Sequence, residues 1–140
     1  MKFRGFDGRQ YSVTLTADKR GKVSQYHQRA RNLLKLLYPF DLVFEEIFLP
    51  GSGTKLNKQL YVDFFIPSQN LMIEVHGDQH YKFNSHFYEN KIDFLRAKAR
   101  DQTKRDYAET NGFSLVELPY NESDEQWSVR IKERNNVSNS

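Results

Sequence analysis

The chain has 140 residues, 38% of them hydrophobic, so it is long enough to bury the core of a single domain. It contains no cysteine and no apolar run of about 18 residues, which excludes disulfides, thiolate metal sites and a membrane-spanning helix. The formal net charge of +3 is compatible with a nucleic-acid partner but does not require one.

The first third of the chain is expected to contain a hairpin and a helix. Residues 1–20 predict a β-hairpin with a two-residue turn at Asp7-Gly8, and we treat it as an N-terminal extension. This segment lacks the apolar stretch of a signal peptide, so we expect a cytoplasmic protein. A helix is expected to begin after Ser24 as its N-cap and to end before Pro39.

Three strands are expected in the middle of the chain. Their apolar and β-branched residues place them at residues 41–49, 60–66 and 71–77. The segment 50–59, which contains Pro, Gly and Ser, predicts a loop.

The last third predicts a long helix from about residue 85 to 110, a strand at 113–120 and a closing helix at 122–134. We expect a single domain over residues 21–134 and a frayed tail at 135–140. The order helix, three strands, helix, strand predicts an α/β fold with a mixed sheet flanked by helices.

The strand at 71–77 carries Glu74 and His76 at alternate positions of an otherwise apolar stretch. If residues 67–70 form the turn before it, Asp63 lies directly opposite Glu74, and Tyr61 lies opposite His76. Two facing carboxylates destabilise a hairpin, whereas a hard divalent cation between them would convert the repulsion into coordination. A register slip of one residue would move Asp63 to the opposite face from Glu74. The alternative to a site is a pair of exposed carboxylates on a solvated edge strand.

Several motifs together resemble the PD-(D/E)XK nuclease superfamily. They are Val62-Asp63-Phe64, Ile73-Glu74-Val75-His76-Gly77, His80, Arg100-Asp101 with Lys104-Arg105, and Asn111-Gly112-Phe113 before a strand. The nearest likeness is to the branch of very-short-patch mismatch repair (Vsr) endonucleases, EDxHD homing endonucleases and similar small phage-encoded endonucleases. The resemblance covers roughly residues 24 to 120. It implies a restriction-endonuclease-like core and a Mg²⁺- or Mn²⁺-dependent endonuclease that hydrolyses phosphodiester bonds in DNA.

The resemblance also implies roles for individual residues. Asp63 and Glu74 match the metal ligands, and His76 stands where the superfamily usually has Lys, as in the Vsr-like branch. His80 matches, within one residue of spacing, a histidine that the branch uses in proton transfer. An imidazole suits that role because its ordinary pKa lies near neutral pH; the alternative is an ordinary loop histidine. Asp101 matches an acidic residue on the following helix, and its alternative is an ion pair with Arg105 a turn later.

Two departures from the family pattern concern acidic and metal-binding residues. The branch commonly has a Glu on the first helix, where this chain has His27 or a neighbouring Gln. We expect Glu46 on the first strand of the domain to take that role and count it among the catalytic candidates. Vsr enzymes hold a structural zinc partly through cysteines, and a chain without cysteine cannot build that site.

Basic and aromatic residues extend the predicted DNA surface. The residues expected to contact phosphates are Lys55, Lys58, Lys98, Arg100, Lys104 and Arg105. For the basic stretch 91–105, a solvated helix face is the alternative. Aromatic candidates for contact with bases are Tyr81, Phe83 and Tyr88.

The expected partner is DNA, and a homodimer or an accessory specificity protein stays open. One rival hypothesis is a Holliday-junction resolvase or another structure-selective nuclease that acts as a dimer, which an exposed apolar face around Trp127 would favour. The other is a DNA-binding module that has lost catalysis.

Overall fold

The computed structural model describes residues 1–16, 23–54, 58–77 and 91–138, with side chains up to residue 134. The helices are α1 (Gln25–Leu37), α2 (Lys91–Thr110) and α3 (Asp124–Ser138). The strands are β1 (Lys2–Arg4), β2 (Gln10–Ser12), β3 (Phe44–Leu49), β4 (Leu60–Ile66), β5 (Leu71–His76) and β6 (Ser114–Pro119). Over these residues, every helix is too short or too polar to cross a membrane.

A four-stranded mixed sheet with the order β3-β4-β5-β6 forms the centre of the fold. The β3, β4 and β5 strands are antiparallel neighbours, and β6 joins β5 in parallel after the chain crosses over through α2. The predicted α/β fold with a mixed sheet flanked by helices is therefore confirmed.

The β1–β2 hairpin forms a separate two-stranded sheet, but its predicted two-residue turn is wrong. Arg4 pairs with Gln10, so five residues connect the strands. The wider loop is held by Asp7, whose carboxylate accepts hydrogen bonds from the Arg9 amide at 2.9 Å and from the Tyr11 hydroxyl.

The predicted helix boundaries at both α1 and the end of α2 are confirmed. The Ser24 hydroxyl caps α1 by accepting a hydrogen bond from the His27 amide at 3.1 Å. Gly112 takes the left-handed conformation, with φ of 72°, and lets the Phe113 amide bond back to the Ala108 carbonyl at 2.9 Å.

The sheet separates two hydrophobic clusters. The first lies under α1 and α3; its buried members include Leu34, Phe64, Ile73, Trp127 and Ile131. The second lies under α2 and the N-terminal hairpin; its buried members include Phe3, Ile47, Val62, Phe65 and Tyr107. The N-terminal hairpin thus contributes to the core through a fully buried phenylalanine.

Trp127 and Ile131 of α3 are completely buried. The Trp127 indole N–H donates to the Pro119 carbonyl at 2.7 Å, and the Arg29 guanidinium lies 3.7 Å above its ring. The apolar surface that would have favoured a dimer at Trp127 is therefore covered within the chain.

Candidate active site

The predicted register of the β4–β5 hairpin is confirmed. The paired residues are Ile66 with Leu71, Phe65 with Met72 and Phe64 with Ile73. The turn between the strands passes through Asn70, whose left-handed φ of 47° suits an asparagine.

Beyond this ladder, side chains replace the backbone pairing. The Asp63 amide donates to Glu74 Oε1 at 3.2 Å, and the Val75 amide donates to Asp63 Oδ2 at 2.8 Å. The two carboxylates are therefore neighbours, as the register predicted. Because they occupy the positions of ladder hydrogen bonds, β4 and β5 diverge from this point toward the C-terminal end of β5.

The predicted pairing of Tyr61 with His76 is wrong, because the strands have already separated there. Tyr61 is 51% exposed, whereas His76 is only 2% exposed. His76 instead pairs with Pro119 of β6, and its carbonyl accepts a hydrogen bond from the Tyr120 amide at 2.8 Å.

Glu74 is an almost completely buried carboxylate, 4% exposed. Burial, reinforced by the charge of Asp63, raises the pKa of Glu74 to about 8. The Lys104 ammonium lies 3.1 Å from Glu74 Oε1 and lowers the pKa, without offsetting the other two effects. Lys104 therefore does not balance the effects of burial and Asp63, and a cation bound beside Glu74 would lower its pKa further.

Glu46, on β3, is the cross-strand neighbour of Asp63 on β4. The flanking pairs are Glu45 with Phe64 and Ile47 with Val62, so the register aligns Glu46 with Asp63. Glu46, Asp63 and Glu74 consequently form one row across three strands.

Glu46 also has a left-handed backbone, with φ of 50°. This conformation reverses the usual alternation of the strand: Glu45 bonds to residues of α1, whereas Ile47 packs on the opposite side in the cluster beneath α2. Strain of this kind in a non-glycine residue is often found at functional sites.

We expect the glycine variant Glu46→Gly to be more stable than Glu46→Ala by about 1 kcal/mol, because alanine keeps the left-handed strain. At an ordinary strand position such as Tyr61, the order is expected to be reversed. Urea unfolding of the four variants would test this. Equal stability of the two Glu46 variants would show that the backbone there is not strained.

A cleft of about 450 Å³ opens where β4 leaves β5, and its lining includes Glu46, Tyr61, Asp63, Arg100 and Lys104. Acidic groups thus come from the strands and basic groups come from α2. Carboxylate oxygens suit a hard divalent cation, and the two basic side chains suit an anionic group such as a phosphate.

One face of α2 is directed at the sheet and contains Ala97, Asp101, Lys104 and Ala108, which follow the helical repeat. Since α2 runs back along β5 as a crossover helix, Asp101 lies one turn from Lys104 toward the end of β5 that carries His76. Asp101 is 6% exposed. His76 is also buried, and the topology places both residues toward the same end of β5.

Among the described residues, groups of three or more His, Asp or Glu side chains close enough to hold a metal ion are absent. Asp63 and Glu74 still fit Mg²⁺, because this ion is commonly held by one or two carboxylates and takes its other ligands from water and substrate phosphate. Both donors are hard oxygens, and burial raises the pKa of Glu74 in spite of its contact with Lys104.

The predicted DNA-contacting residues have different surroundings. Arg100 and Lys104 line the cleft, and Lys58 is exposed just before β4, next to Gln59, which also lines the cleft. Lys98 lies 5.7 Å from the centre of the Phe94 ring. Arg105 binds the Glu117 carboxylate through two nitrogens and also bonds to Gln102, so much of its hydrogen-bonding capacity is used within the chain.

Two predicted site residues, His80 and Lys55, lie outside the described residues, as do the aromatic candidates Tyr81, Phe83 and Tyr88. His27, considered for the missing acidic position of the first helix, is buried on the opposite side of the sheet and bonds to Glu45. The contact of Lys104 with Glu74 was not predicted, since only the packing of α2 on the sheet reveals it.

Comparison with curated proteins finds two viral relatives. The chain is 40% identical over 73 residues to "Uncharacterized protein 307L" of Invertebrate iridescent virus 6, covering 52% of this chain and 37% of the relative. It is 36% identical over 107 residues to "Uncharacterized protein 033L" of Invertebrate iridescent virus 3, covering 75% of this chain and 51% of the relative. The chain thus spans about half or less of the length of these relatives. Neither a protein-family model nor a solved structure matches the chain.

Proposed function

We propose that this chain is a divalent-metal-dependent DNA endonuclease with a restriction-endonuclease-like core. The observation that carries the proposal is the pairing of buried Glu74 with Asp63 at the wall of a cleft. Asp63, Arg100 and Lys104 line this cleft, and Lys104 also contacts Glu74. The likeness of its motifs to the Vsr-like branch of the PD-(D/E)XK superfamily adds the reaction type, hydrolysis of a phosphodiester bond.

In the proposed reaction, Asp63 and Glu74 hold the metal ion. A bound Mg²⁺ or Mn²⁺ supplies a water of lowered pKa and neutralises charge on the phosphate. Arg100 and Lys104 bind the non-bridging oxygens and orient the phosphate, and Glu46 borders the same cleft. His76 and Asp101 support this end of the site from buried positions, and His80 is assigned proton transfer on the resemblance alone.

The direct test is conversion of supercoiled plasmid by the purified chain in Mg²⁺, Mn²⁺ or EDTA. We expect metal-dependent nicking or linearisation that falls at least about 100-fold in Asp63→Asn and in Glu74→Gln, because each loses one charged ligand. Glu125→Gln, an exposed carboxylate on α3, is the matched control and should cut at the rate of the unmodified chain.

Cleavage that survives both substitutions would contradict the assigned ligands. Binding of DNA without cleavage in every metal, on branched and single-stranded substrates as well as plasmid, would overturn the catalytic proposal and leave the binding module. The dimeric structure-selective nuclease receives no support from α3, because Trp127 is buried within the chain.

A further inference from the structure

Two aromatic side chains are exposed side by side near the cleft. Phe48 on β3 and Tyr61 on β4 are cross-strand partners, and their ring centroids are 5.5 Å apart. Phe48 is 37% exposed and Tyr61 is 51% exposed. Burial in the core therefore does not account for them.

The rings lie on the side of the sheet opposite to their buried neighbours on the same strands. Ile47 and Leu49 flank Phe48 and belong to the cluster beneath α2, as do Leu60 and Val62 on either side of Tyr61. The aromatic pair therefore projects away from that cluster and presents its rings to solvent.

Tyr61 also connects this surface to the candidate active site. It lines the same cleft as Asp63, Arg100 and Lys104. Two residues of extended strand separate Tyr61 from Asp63, a distance of about 7 Å along β4. The rings project away from α2, so a nucleic-acid backbone held by Arg100 and Lys104 would have to cross β4 at Tyr61 to bring a neighbouring base to the exposed aromatic pair.

We propose that Phe48 and Tyr61 form a stacking platform for an unpaired base, and that the site consequently prefers single-stranded DNA, or DNA with unpaired nucleotides, over intact duplex. This inference rests on the proposed function for the placement of the backbone in the cleft. In a duplex the base faces are already stacked on each other, whereas an unpaired base presents its face to aromatic side chains.

Another exposed apolar group, at the end of α1 and in the loop before β3, lacks these features. It comprises Leu36, Phe40 and Leu42, which are 80%, 99% and 67% exposed, and none of them lines the cleft that holds Asp63. Phe40 is therefore a matched control for the loss of an exposed aromatic ring.

The test is fluorescence anisotropy with a labelled 20-nucleotide DNA, single-stranded or annealed to its complement, in EDTA so that cleavage does not interfere. We expect the single strand to bind more tightly than the duplex. Tyr61→Ala should weaken single-strand binding by roughly 5- to 150-fold and change duplex binding less than about twofold. Tyr61→Phe keeps the ring and should bind like the unmodified chain, as should Phe40→Ala.

Equal affinity of the unmodified chain for both DNA forms would overturn the inference, and so would equal losses on both forms in Tyr61→Ala. Thermal unfolding of each variant separates a lost contact from a lost fold. Because binding is measured without metal, the result is independent of cleavage. If the chain cuts duplex and single-stranded DNA equally well, the stacking platform is disproved and the nuclease proposal is not. If it binds single-stranded DNA selectively but cuts no DNA in any metal, the nuclease proposal is disproved and the platform is not.

Discussion

Replacing Glu74 with glutamine is expected to stabilise the metal-free protein at pH 8, although it removes a buried side chain's charge and one ion pair. Burial and the neighbouring Asp63 raise the pKa of Glu74 to about 8, so ionising it in the folded chain is unfavourable. Glutamine keeps the shape of the side chain and has no charge to bury.

The pH dependence follows from the direction of this pKa change. A carboxyl whose pKa is higher in the folded state stabilises the fold at low pH, and that contribution is lost as pH rises toward the folded value. Between about pH 4.5 and pH 8, the loss is roughly 1.4 kcal/mol per pH unit, at most about 5 kcal/mol in total. We expect the unfolding free energies of the unmodified chain and Glu74→Gln to diverge across this range.

Divalent metal should reverse the difference. Mg²⁺ or Mn²⁺ is expected to stabilise the unmodified chain above pH 7 and to have little effect on Glu74→Gln, because ligand binding stabilises only the state that binds it. The matched control is Glu117→Gln, at the position on β6 that pairs with Glu74, whose carboxylate already binds Arg105. If Glu74→Gln were the less stable protein at pH 8, the charge of Lys104 would be enough to stabilise the ionised Glu74 carboxylate. That result would contradict the proposal that Glu74 needs a bound cation.

Replacing Glu45 with glutamine is expected to have the opposite effect and to destabilise the fold by about 3–5 kcal/mol. Glu45 is buried on the α1 side of the sheet, where its carboxylate accepts from Arg31 at 2.8 and 2.7 Å and from His27 at 2.8 Å. Burial alone raises the pKa of Glu45, but the bonds from Arg31 and His27 offset this effect and lower the pKa below its ordinary value.

Glu45→Gln removes the charged group to which the partly buried Arg31 guanidinium makes two hydrogen bonds, which is the costly way to break such a network. Since the folded pKa of Glu45 is lowered, its contribution is present above the unfolded value and is lost as pH falls through the folded one. The unmodified chain should therefore lose more stability on acidification below about pH 4.5 than the variant does.

Chemical denaturation of Glu45→Gln beside Glu122→Gln would measure this cost against a matched control. Glu122 makes a similar two-bond contact with Arg130, at 2.6 and 2.7 Å, but that pair is more exposed to water. Its loss is expected to cost about 1 kcal/mol or less. Similar costs for the two substitutions would mean that burial does not strengthen the Glu45 network.

Local features of the sequence determined the elements and the central hairpin. Ser24 and Gly112 mark helix ends because a capping hydroxyl and a left-handed backbone depend on nearby residues only. The register that joins Asp63 to Glu74 was predictable because the four residues between Ile66 and Leu71 form the turn that sets every later pair.

Contacts between distant elements were decided only by the tertiary structure. Lys104 reaches Glu74 across 30 positions of sequence, and Glu45 joins α1 through Arg31 and His27. The left-handed conformation of Glu46 follows from its neighbours being held on opposite sides of the sheet. The exposure of Tyr61 follows from the divergence of β4 and β5, which begins where two carboxylates take over backbone hydrogen bonds. Sequence periodicity describes one element at a time, whereas burial, counter-charges and strain arise when the elements pack together.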